Sequence, residues 1–295
     1  MEIKLVLLLI IISLFFWIIF SLWPSTLLIR YLFKGGVAVE SERYTSIKDD
    51  VQIRSNISYE SNVYDEYSHK YNPSNNIIVW VHGGAFVAGD KEDIKEYATE
   101  LAYEGFTVIN MNYNLAPNLQ YPAQIQQIND LLQHLKKSRA MDSLFLAGDS
   151  AGAHMISQFV ISQTDHEYAQ KIVIKKIIEA KDINGLLLYC GPYETNMISK
   201  MIDDAPLIGR FIFKKISRAY LGDRKLNEIE LNIVENLNSS FPPCFITDGN
   251  MMSFPHHAAI LSKRLDSLGV ENKLLLYPNI ETELHHEYQL KLYNV

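Results

Sequence analysis

Short apolar runs alternate with amphipathic segments from residue 77 towards the end of the chain. Each run is four to six residues long, which suits a strand that is buried on both faces of a sheet. The segments between the runs repeat apolar residues at three- and four-residue spacings, the pattern of a helix with one buried face. This order predicts a doubly wound, mostly parallel α/β sheet with crossover helices. The predicted strands are 77–81, 106–111, 144–147, 185–189, 244–247 and 273–277, and the predicted helices are 90–105, 125–135, 151–163 and 254–268.

An uncharged segment near the start of the chain runs from Leu5 to Trp23 and is interrupted only by Ser13 and Ser21. A helix of that length spans about 28 Å, close to the thickness of a bilayer core. A buried core helix this long normally keeps one polar face, and a cleaved signal peptide has a shorter apolar region that is soon followed by small residues. We therefore predict an uncleaved transmembrane helix, with the membrane as its partner.

The direction in which this helix crosses the membrane stays open. Lys4 precedes the apolar segment while Arg30 and Lys34 follow it, and the positive-inside rule counts the charges on both sides. An uncleaved export signal would place the rest of the chain outside the cytoplasm, which is the localisation that we expect.

The body of the chain begins after a linker at 34–42. Apolar residues at 47, 51, 53, 57 and 59 then lie mostly at even spacings, which predicts a half-buried β-hairpin at the start of the sheet. We predict two units, a membrane anchor at 1–34 and a catalytic domain at 35–295. Within the catalytic domain, a segment at 193–222 rich in Ile, Leu and Phe is interpreted either as a cap over an acyl pocket or as an ordinary amphipathic surface helix.

Composition and charge narrow the function classes. The 295 residues are 48% apolar and 21% charged, as in a folded globular protein. The net charge of −7 is spread along the chain without a basic stripe, which argues against nucleic-acid binding. Cys190 and Cys244 both lie in apolar runs, so neither a disulfide framework nor a metal cluster is indicated. No cofactor or metal is predicted, and no oligomeric state is indicated.

The segment Gly148-Asp149-Ser150-Ala151-Gly152 joins a predicted strand to a predicted helix. In that context the Gly-x-Ser-x-Gly pattern is typical of a nucleophilic serine on a tight strand-to-helix turn. The glycines leave room for the turn, and the helix N-terminus favours negative charge that develops beside the serine. A serine that only caps the helix is the alternative. The pattern predicts Ser150 as a nucleophile.

A glycine-containing turn, HGGA at 82–85, follows the predicted strand 77–81. Peptide N–H groups that carry no side chain can approach an oxygen held near the nucleophile. We expect Gly83, Gly84 and Ala151 to donate hydrogen bonds in an oxyanion hole, where one donor is worth about 3 kcal/mol of transition-state stabilisation. A glycine turn without a role is the alternative, but two parts of one site occur here in the correct order.

A general base is expected late in the chain, because triads on this architecture run serine, acid, histidine. His286 is the last histidine and follows the final predicted strand, with His285 beside it as a competitor. His256 and His257 begin a predicted helix and are interpreted as solvated cap residues. His154 lies within the helix after the nucleophile and is interpreted as a packed or capping residue.

Together these residues resemble the acetyl-esterase and hormone-sensitive-lipase-like branch of the α/β hydrolases, which includes carboxylesterases related to kynurenine formamidase. The resemblance covers about residues 75–288 and implies the α/β-hydrolase fold. It also implies a nucleophile at Ser150, oxyanion donors at Gly83, Gly84 and Ala151, and a base at His286, because the residue before the family's base is commonly glycine and is His285 here. The motifs are HGGAFVAGDK at 82–91, NYNLAPNLQYPAQIQQIN at 112–129, GDSAGAH at 148–154, PPCFITDGN at 242–250 and HEYQ at 286–289.

The acid of the triad is where the sequence departs from this family. The family places an aspartate three residues after a glycine that follows the strand, and counting from Gly249 gives Met252, which cannot orient an imidazolium. Asp248 is the nearest carboxylate, and both it and the loop that carries His286 are expected at the carboxyl edge of the sheet. We therefore predict contact between Asp248 and His286, with Glu194 as the alternative acid.

The predicted activity is hydrolysis of a small carboxylic ester through an acyl-enzyme intermediate, with a small-molecule ester as substrate. Hydrolysis of an amide or formamide would use the same groups with a different leaving group. A third interpretation is a catalytically inactive, membrane-tethered binding protein, suggested by Met252 at the expected acid position. Retention of Ser150 and of the glycines argues against that interpretation.

Overall fold

The computed structural model describes residues 2–33, 40–225, 228–277 and 283–290. The described strands are β1 (Val51–Tyr59), β2 (Asn62–His69), β3 (Asn76–Val81), β4 (Thr107–Met111), β5 (Ser143–Asp149), β6 (Gly185–Tyr189), β7 (Cys244–Asp248) and β8 (Asn272–Leu276). They form one sheet in the order β1-β2-β4-β3-β5-β6-β7-β8. β2 pairs antiparallel with β1 and β4, and the other neighbours pair in parallel, so the predicted doubly wound sheet is confirmed.

The described helices precede, connect and flank these strands. The helices are α1 (Glu2–Phe20), α2 (Leu22–Phe33), α3 (Glu42–Ile47), α4 (Lys95–Tyr103), α5 (Ala123–Ser138), α6 (Ala151–Thr164), α7 (His166–Ile172), α8 (Thr195–Asp204), α9 (Leu207–Leu221), α10 (Ile233–Asn236) and α11 (Pro255–Ser267). The four helices predicted in the body correspond to α4, α5, α6 and α11, and α4 is preceded by a 3₁₀ turn at Lys91–Ile94.

The central strand β3 is buried on both faces, as its continuous apolar run predicts. Ile77, Val79 and Val81 belong to the hydrophobic core that also contains buried residues of α5, α6 and α11. Ile78 and Trp80 belong to the core on the opposite face, beneath α4. Because side chains alternate along a strand, one apolar run serves both layers. Burial of each such side chain stabilises the fold by about 1.5–3 kcal/mol.

The segment before the sheet differs in part from the prediction. The hairpin is present as β1 and β2, but Ile47 is a buried residue of α3 rather than part of a strand. The Ser41 hydroxyl accepts a hydrogen bond from the Tyr44 N–H at 3.1 Å and caps this helix. The predicted unit boundary after residue 34 and most of the predicted linker lie at 34–39, outside the described residues.

The apolar N-terminal segment is divided between two helices. Ile3–Phe20 of α1 has a mean hydropathy of 2.9 and none of it is buried against the rest of the chain. α2 follows after Ser21 alone and packs along α9, where Ser25, Thr26 and Ile29 are buried. The segment predicted as one anchor therefore contains an apolar helix with no buried residue at Ile3–Phe20 and a second helix that packs on the body.

Candidate active site

Ser150 lies at the turn between β5 and α6 in a backbone conformation that side chains rarely adopt, with φ 51° and ψ −117°. The flanking glycines make this turn sterically feasible. A Cβ atom at Gly152 would overlap the carbonyl oxygen of Val81, and one at Gly148 would lie 2.6 Å from the carbonyl carbon of Gly152. Strained backbone of this kind persists where surrounding structure holds it, and it is concentrated at functional sites.

The imidazole of His286 faces this serine. Its Nε2 lies 2.9 Å from the Ser150 Oγ, within hydrogen-bond distance of a nucleophile and its base. The ring of Phe254 packs edge-on against the imidazole with centroids 5.4 Å apart. Burial lowers the pKa of His286 to about 4, so the imidazole is neutral at physiological pH.

Asp248 reaches His286 through an intervening hydroxyl group. The Ser253 Oγ lies 2.6 Å from the His286 Nδ1 and donates a hydrogen bond to the Asp248 Oδ1. Although both residues are described, no ion pair joins Asp248 directly to His286. The expectation of direct contact was therefore wrong: the turn after β7 inserts a serine side chain between the two groups.

The two other residues considered for the acid position have different surroundings. Glu194 is the N-cap of α8, where its carboxylate accepts hydrogen bonds from the N–H groups of Asn196 at 3.1 Å and Met197 at 2.7 Å. Met252 has a positive φ of 49°, and its side chain is 88% exposed. Neither side chain is placed to orient the imidazole of His286.

The remaining candidate histidines lie elsewhere. His285 and His256 are exposed. His154 is packed, as predicted, with its Nδ1 2.8 Å from the Pro192 carbonyl oxygen. The interpretation of His257 as a solvated residue was wrong, because it is buried and its Nδ1 accepts the Glu194 N–H at 3.0 Å.

The turn at 82–89 lies beside the strand-to-helix turn at 148–152, which we call the elbow. Its N–H groups are used differently from the prediction. The Gly83 N–H donates to the Asp149 Oδ2 at 2.8 Å and is thereby engaged, which corrects its assignment as an oxyanion donor. Within the described part of the chain, the N–H groups of Gly84 and Ala85 have no hydrogen-bond acceptor. Ala85 lines the same cavity as Ser150 and Ala151, so it is a candidate donor that the sequence reasoning missed.

Asp149 holds this turn against the elbow. Its carboxyl group is fully buried and also accepts a hydrogen bond from the Trp80 indole at 2.7 Å. Burial, together with the neighbouring Glu287 carboxylate, raises the pKa of Asp149 well above its usual range. Two buried side chains therefore fix the position of Gly83, the residue that precedes the candidate oxyanion donors.

An apolar cavity of about 110 Å³ opens beside Ser150. Helices α8 and α9, which fill the segment predicted as a cap or surface helix, form one side of it. The rings of Phe86 and Tyr220 stack with centroids 3.9 Å apart, so they connect α9 to the turn at 82–89. The apolar lining of the cavity is suited to the hydrocarbon part of a substrate. This lining includes Ile198, Met201, Ile202, Phe213, Ile216 and Leu231.

The elbow, the facing histidine and the sheet order agree with one family. A family model described as the alpha/beta hydrolase fold matches residues 78–286, more than half of the chain. The chain belongs to the α/β-hydrolase family. The family and fold predicted from the sequence motifs are therefore confirmed.

Curated relatives of this α/β hydrolase include acetyl esterases of Salmonella. The acetyl esterase of Salmonella schwarzengrund (strain CVM19633) is 24% identical over 243 residues, which cover 77% of this chain and 72% of the relative. The acetyl esterase of Salmonella typhi is 24% identical over 227 residues, which cover 73% and 67% of the two chains. These relatives support a hydrolase of the carboxylesterase type.

Solved structures show the same fold. Esterase B from Lactobacillus rhamnosis has a TM-score of 0.69 and 24% identity, with coverage of 85% of this chain and 84% of that chain. An esterase from the bacterial hormone-sensitive lipase family has a TM-score of 0.66 and 16% identity, with coverage of 93% and 92%.

Proposed function

We propose that this α/β hydrolase is a serine carboxylesterase that cleaves small carboxylic esters through an acyl-enzyme intermediate. The observation that carries the proposal is the 2.9 Å approach of the His286 Nε2 to the Ser150 Oγ beside an apolar cavity. A strained serine held against a neutral imidazole is the arrangement that activates a hydroxyl group as a nucleophile.

In the proposed acylation step, the Ser150 Oγ attacks the ester carbonyl carbon while its proton passes to the Nε2 of His286. The oxyanion that forms accepts hydrogen bonds from the N–H groups of Gly84, Ala85 and Ala151, each worth about 3 kcal/mol. When the tetrahedral intermediate collapses, the bond to the alcohol oxygen breaks and His286 returns the proton to that oxygen. Water activated by His286 then hydrolyses the acyl-enzyme and regenerates Ser150.

The membrane part of the proposal concerns α1. Its apolar stretch at Ile3–Phe20 is long enough to cross a bilayer and makes no buried contact with the body. We place the anchor in α1 alone, with the catalytic domain on the extracytoplasmic side. Intact mass of the membrane-extracted protein tests the anchor, since retention of residues 1–20 supports it and their loss identifies a cleaved signal sequence.

The nucleophile is tested with a fluorophosphonate probe. Wild-type protein should be labelled at Ser150, and Ser150→Ala should lose both labelling and ester hydrolysis. Thermal stability should change little, because the Ser150 side chain is only partly buried and its hydroxyl contacts the His286 ring rather than a packed core. Labelling that persists in Ser150→Ala, or absence of labelling in a folded wild type, would contradict the proposal.

Paired substrates separate the ester proposal from amide or formamide hydrolysis. An aryl formate and the matching N-formyl arylamine share the aryl and formyl groups and differ only in the bond that is cleaved. We expect kcat/KM for the ester to exceed that for the amide. A higher kcat/KM for the N-formyl compound would reassign the substrate class without changing the nucleophile.

A further inference from the structure

We propose that Ser253 is a positioning residue through whose hydroxyl group Asp248 sets the tautomer and orientation of His286. This inference rests on the proposed serine-esterase function and deepens it. It replaces a directly bonded acid with a chain of two hydrogen bonds, from His286 to Ser253 and from Ser253 to Asp248.

The directions of these hydrogen bonds follow from the number of protons available. An ionised carboxylate can only accept, so the single O–H of Ser253 is used on the Asp248 Oδ1. The Ser253 Oγ must then accept from His286, whose Nδ1 lies 2.6 Å away and therefore carries the ring proton. The Nε2 is left unprotonated, facing the Ser150 Oγ, which is the tautomer that a general base requires.

The turn after β7 explains why a serine occupies this position. Asp248 ends the strand and is fully buried. The positive φ of Met252 turns its side chain outwards to 88% exposure, and the next residue, Ser253, points inwards to the carboxylate and the imidazole. A parallel bridge between Met251 and His285 holds this turn beside the histidine loop.

The same chain of bonds stabilises charge during catalysis. When the Nε2 accepts the proton from Ser150, the imidazolium of His286 keeps its Nδ1–H bond to Ser253. The Ser253 O–H dipole points towards the negative Asp248 and presents its oxygen to the positive ring. No proton needs to move along the chain, because the proton that is transferred enters and leaves His286 at Nε2.

The first test is Ser253→Ala, which removes the acceptor from the His286 Nδ1 and the donor from Asp248. We expect kcat to fall about 100-fold to 1,000-fold with little change in KM, since only orientation and charge stabilisation are lost. Ser253→Thr keeps the hydroxyl group and should recover most of the activity. Ser262→Ala is the matched control. Ser262 lies in α11, the helix that follows this turn, and its hydroxyl group donates a hydrogen bond to the Asn272 side chain at 2.6 Å, away from His286.

The second test moves the carboxylate. Asp248→Asn should lower kcat by a similar factor, because an amide can donate to Ser253 and reverse the direction of the chain. Ser253→Asp combined with Asp248→Asn places a carboxylate directly at the His286 Nδ1. Its kcat should be at least tenfold higher than that of Asp248→Asn alone. A structural role for Ser253 predicts no such restoration, and this double variant remains informative if Ser253→Ala folds poorly.

Two results would overturn the inference. One is a kcat of Ser253→Ala within about threefold of wild type, and the other is a double variant no more active than Asp248→Asn alone. Fluorophosphonate labelling of wild-type Ser150 separates these failures from failure of the proposed function. If wild-type Ser150 is labelled but Ser253→Ala leaves kcat unchanged, only the positioning role is rejected. If the wild type is not labelled, the serine-esterase function itself is rejected.

Discussion

Burial moves the pKa values of His286 and Asp248 in opposite directions. It lowers the pKa of the imidazole to about 4. It raises the pKa of the Asp248 carboxyl group to about 6, although the hydrogen bond from Ser253 acts in the other direction. The imidazole of His286 is therefore neutral throughout the pH range in which Asp248 changes its charge.

We predict that kcat for ester hydrolysis rises as the pH increases through about 6 and reaches a plateau above about 7. Below this range a protonated Asp248 would donate to Ser253, and Ser253 would donate to the Nδ1 of His286. The ring proton would then occupy Nε2 and prevent it from acting as a base. The measurement is kcat from pH 4.5 to 8.5, with Tm followed in parallel to exclude unfolding.

Asp248→Asn is the control for this profile. Its low activity should lack the step near pH 6, because the titrating carboxyl group is gone. A step near pH 6 that survives in Asp248→Asn would assign the titration to another group.

Single residues differed in how far the sequence predicted them. The choice of Ser150 as candidate nucleophile and of His286 as candidate base follows from residue type and chain order, and the structure brings the two side chains together. The direction of the Gly83 N–H and the insertion of Ser253 depend on backbone angles in two turns. A motif written as letters does not encode those angles.

Among the elements, the elbow between β5 and α6 leaves little space for a side chain at Gly152. We predict that Gly152→Ala abolishes ester hydrolysis and lowers the yield of folded protein, because its Cβ would overlap the Val81 carbonyl oxygen on β3. Backbone atoms of a central strand cannot move aside as a flexible side chain can. The measurements are kcat/KM and the Tm of the purified variant.

Gly209→Ala is the matched control for that substitution. A Cβ at Gly209 in α9 would meet the Ala205 Cβ at 3.5 Å, an ordinary contact. Alanine is also favoured over glycine within a helix by about 0.5–1 kcal/mol. We expect this variant to be folded and active, and equal tolerance at Gly152 would contradict the packing of the elbow.

Helices and strands were predicted best where a single pattern of apolar residues continues without interruption along the whole element. The strand β3 and the helix α5 have clear apolar patterns and differ from the prediction by only a few residues at their ends. α3 was missed because its six residues are mostly polar and only Tyr44 and Ile47 are buried. α2 was merged with α1 because its buried Ser25 and Thr26 are polar residue types, and their burial depends on packing against α9.

For the whole molecule, α2 belongs to the folded body although it continues from the apolar α1. Ile29 is buried in the main core, and the guanidinium of Arg30 donates to the carbonyl oxygens of Val87 at 2.5 Å and Ala116 at 2.9 Å. Val87 lies in the turn that carries the candidate oxyanion donors. These contacts connect the N-terminal segment to the candidate active site.

We predict that two truncations behave differently. Removal of residues 1–20 should leave a folded, active protein, because α2 and its contacts remain. Removal of residues 1–33 should lower the Tm by about 10–20 °C, because it removes Ile29 from the core and breaks the two Arg30 hydrogen bonds. Together these are worth about 5 kcal/mol, and 1 kcal/mol corresponds to about 2–4 °C in a domain of this size. Differential scanning calorimetry and kcat measurements test both proteins, and equal Tm values would show that α2 contributes nothing to the body.

The short junction between α1 and α2 has a mechanical consequence. Only Ser21 separates the helices, and its N–H bonds to the Trp17 carbonyl oxygen at 2.9 Å, so the chain has little freedom to pivot there. Arg30, in the last turn of α2, binds this end of the helix to the body through its hydrogen bonds to Val87 and Ala116. With α1 embedded in a lipid bilayer as proposed, the connection to the catalytic domain would be rigid. The domain would then move little relative to the membrane surface. Under that proposal, ester hydrolysis would be confined to a thin layer of solution at a constant distance from the lipid surface.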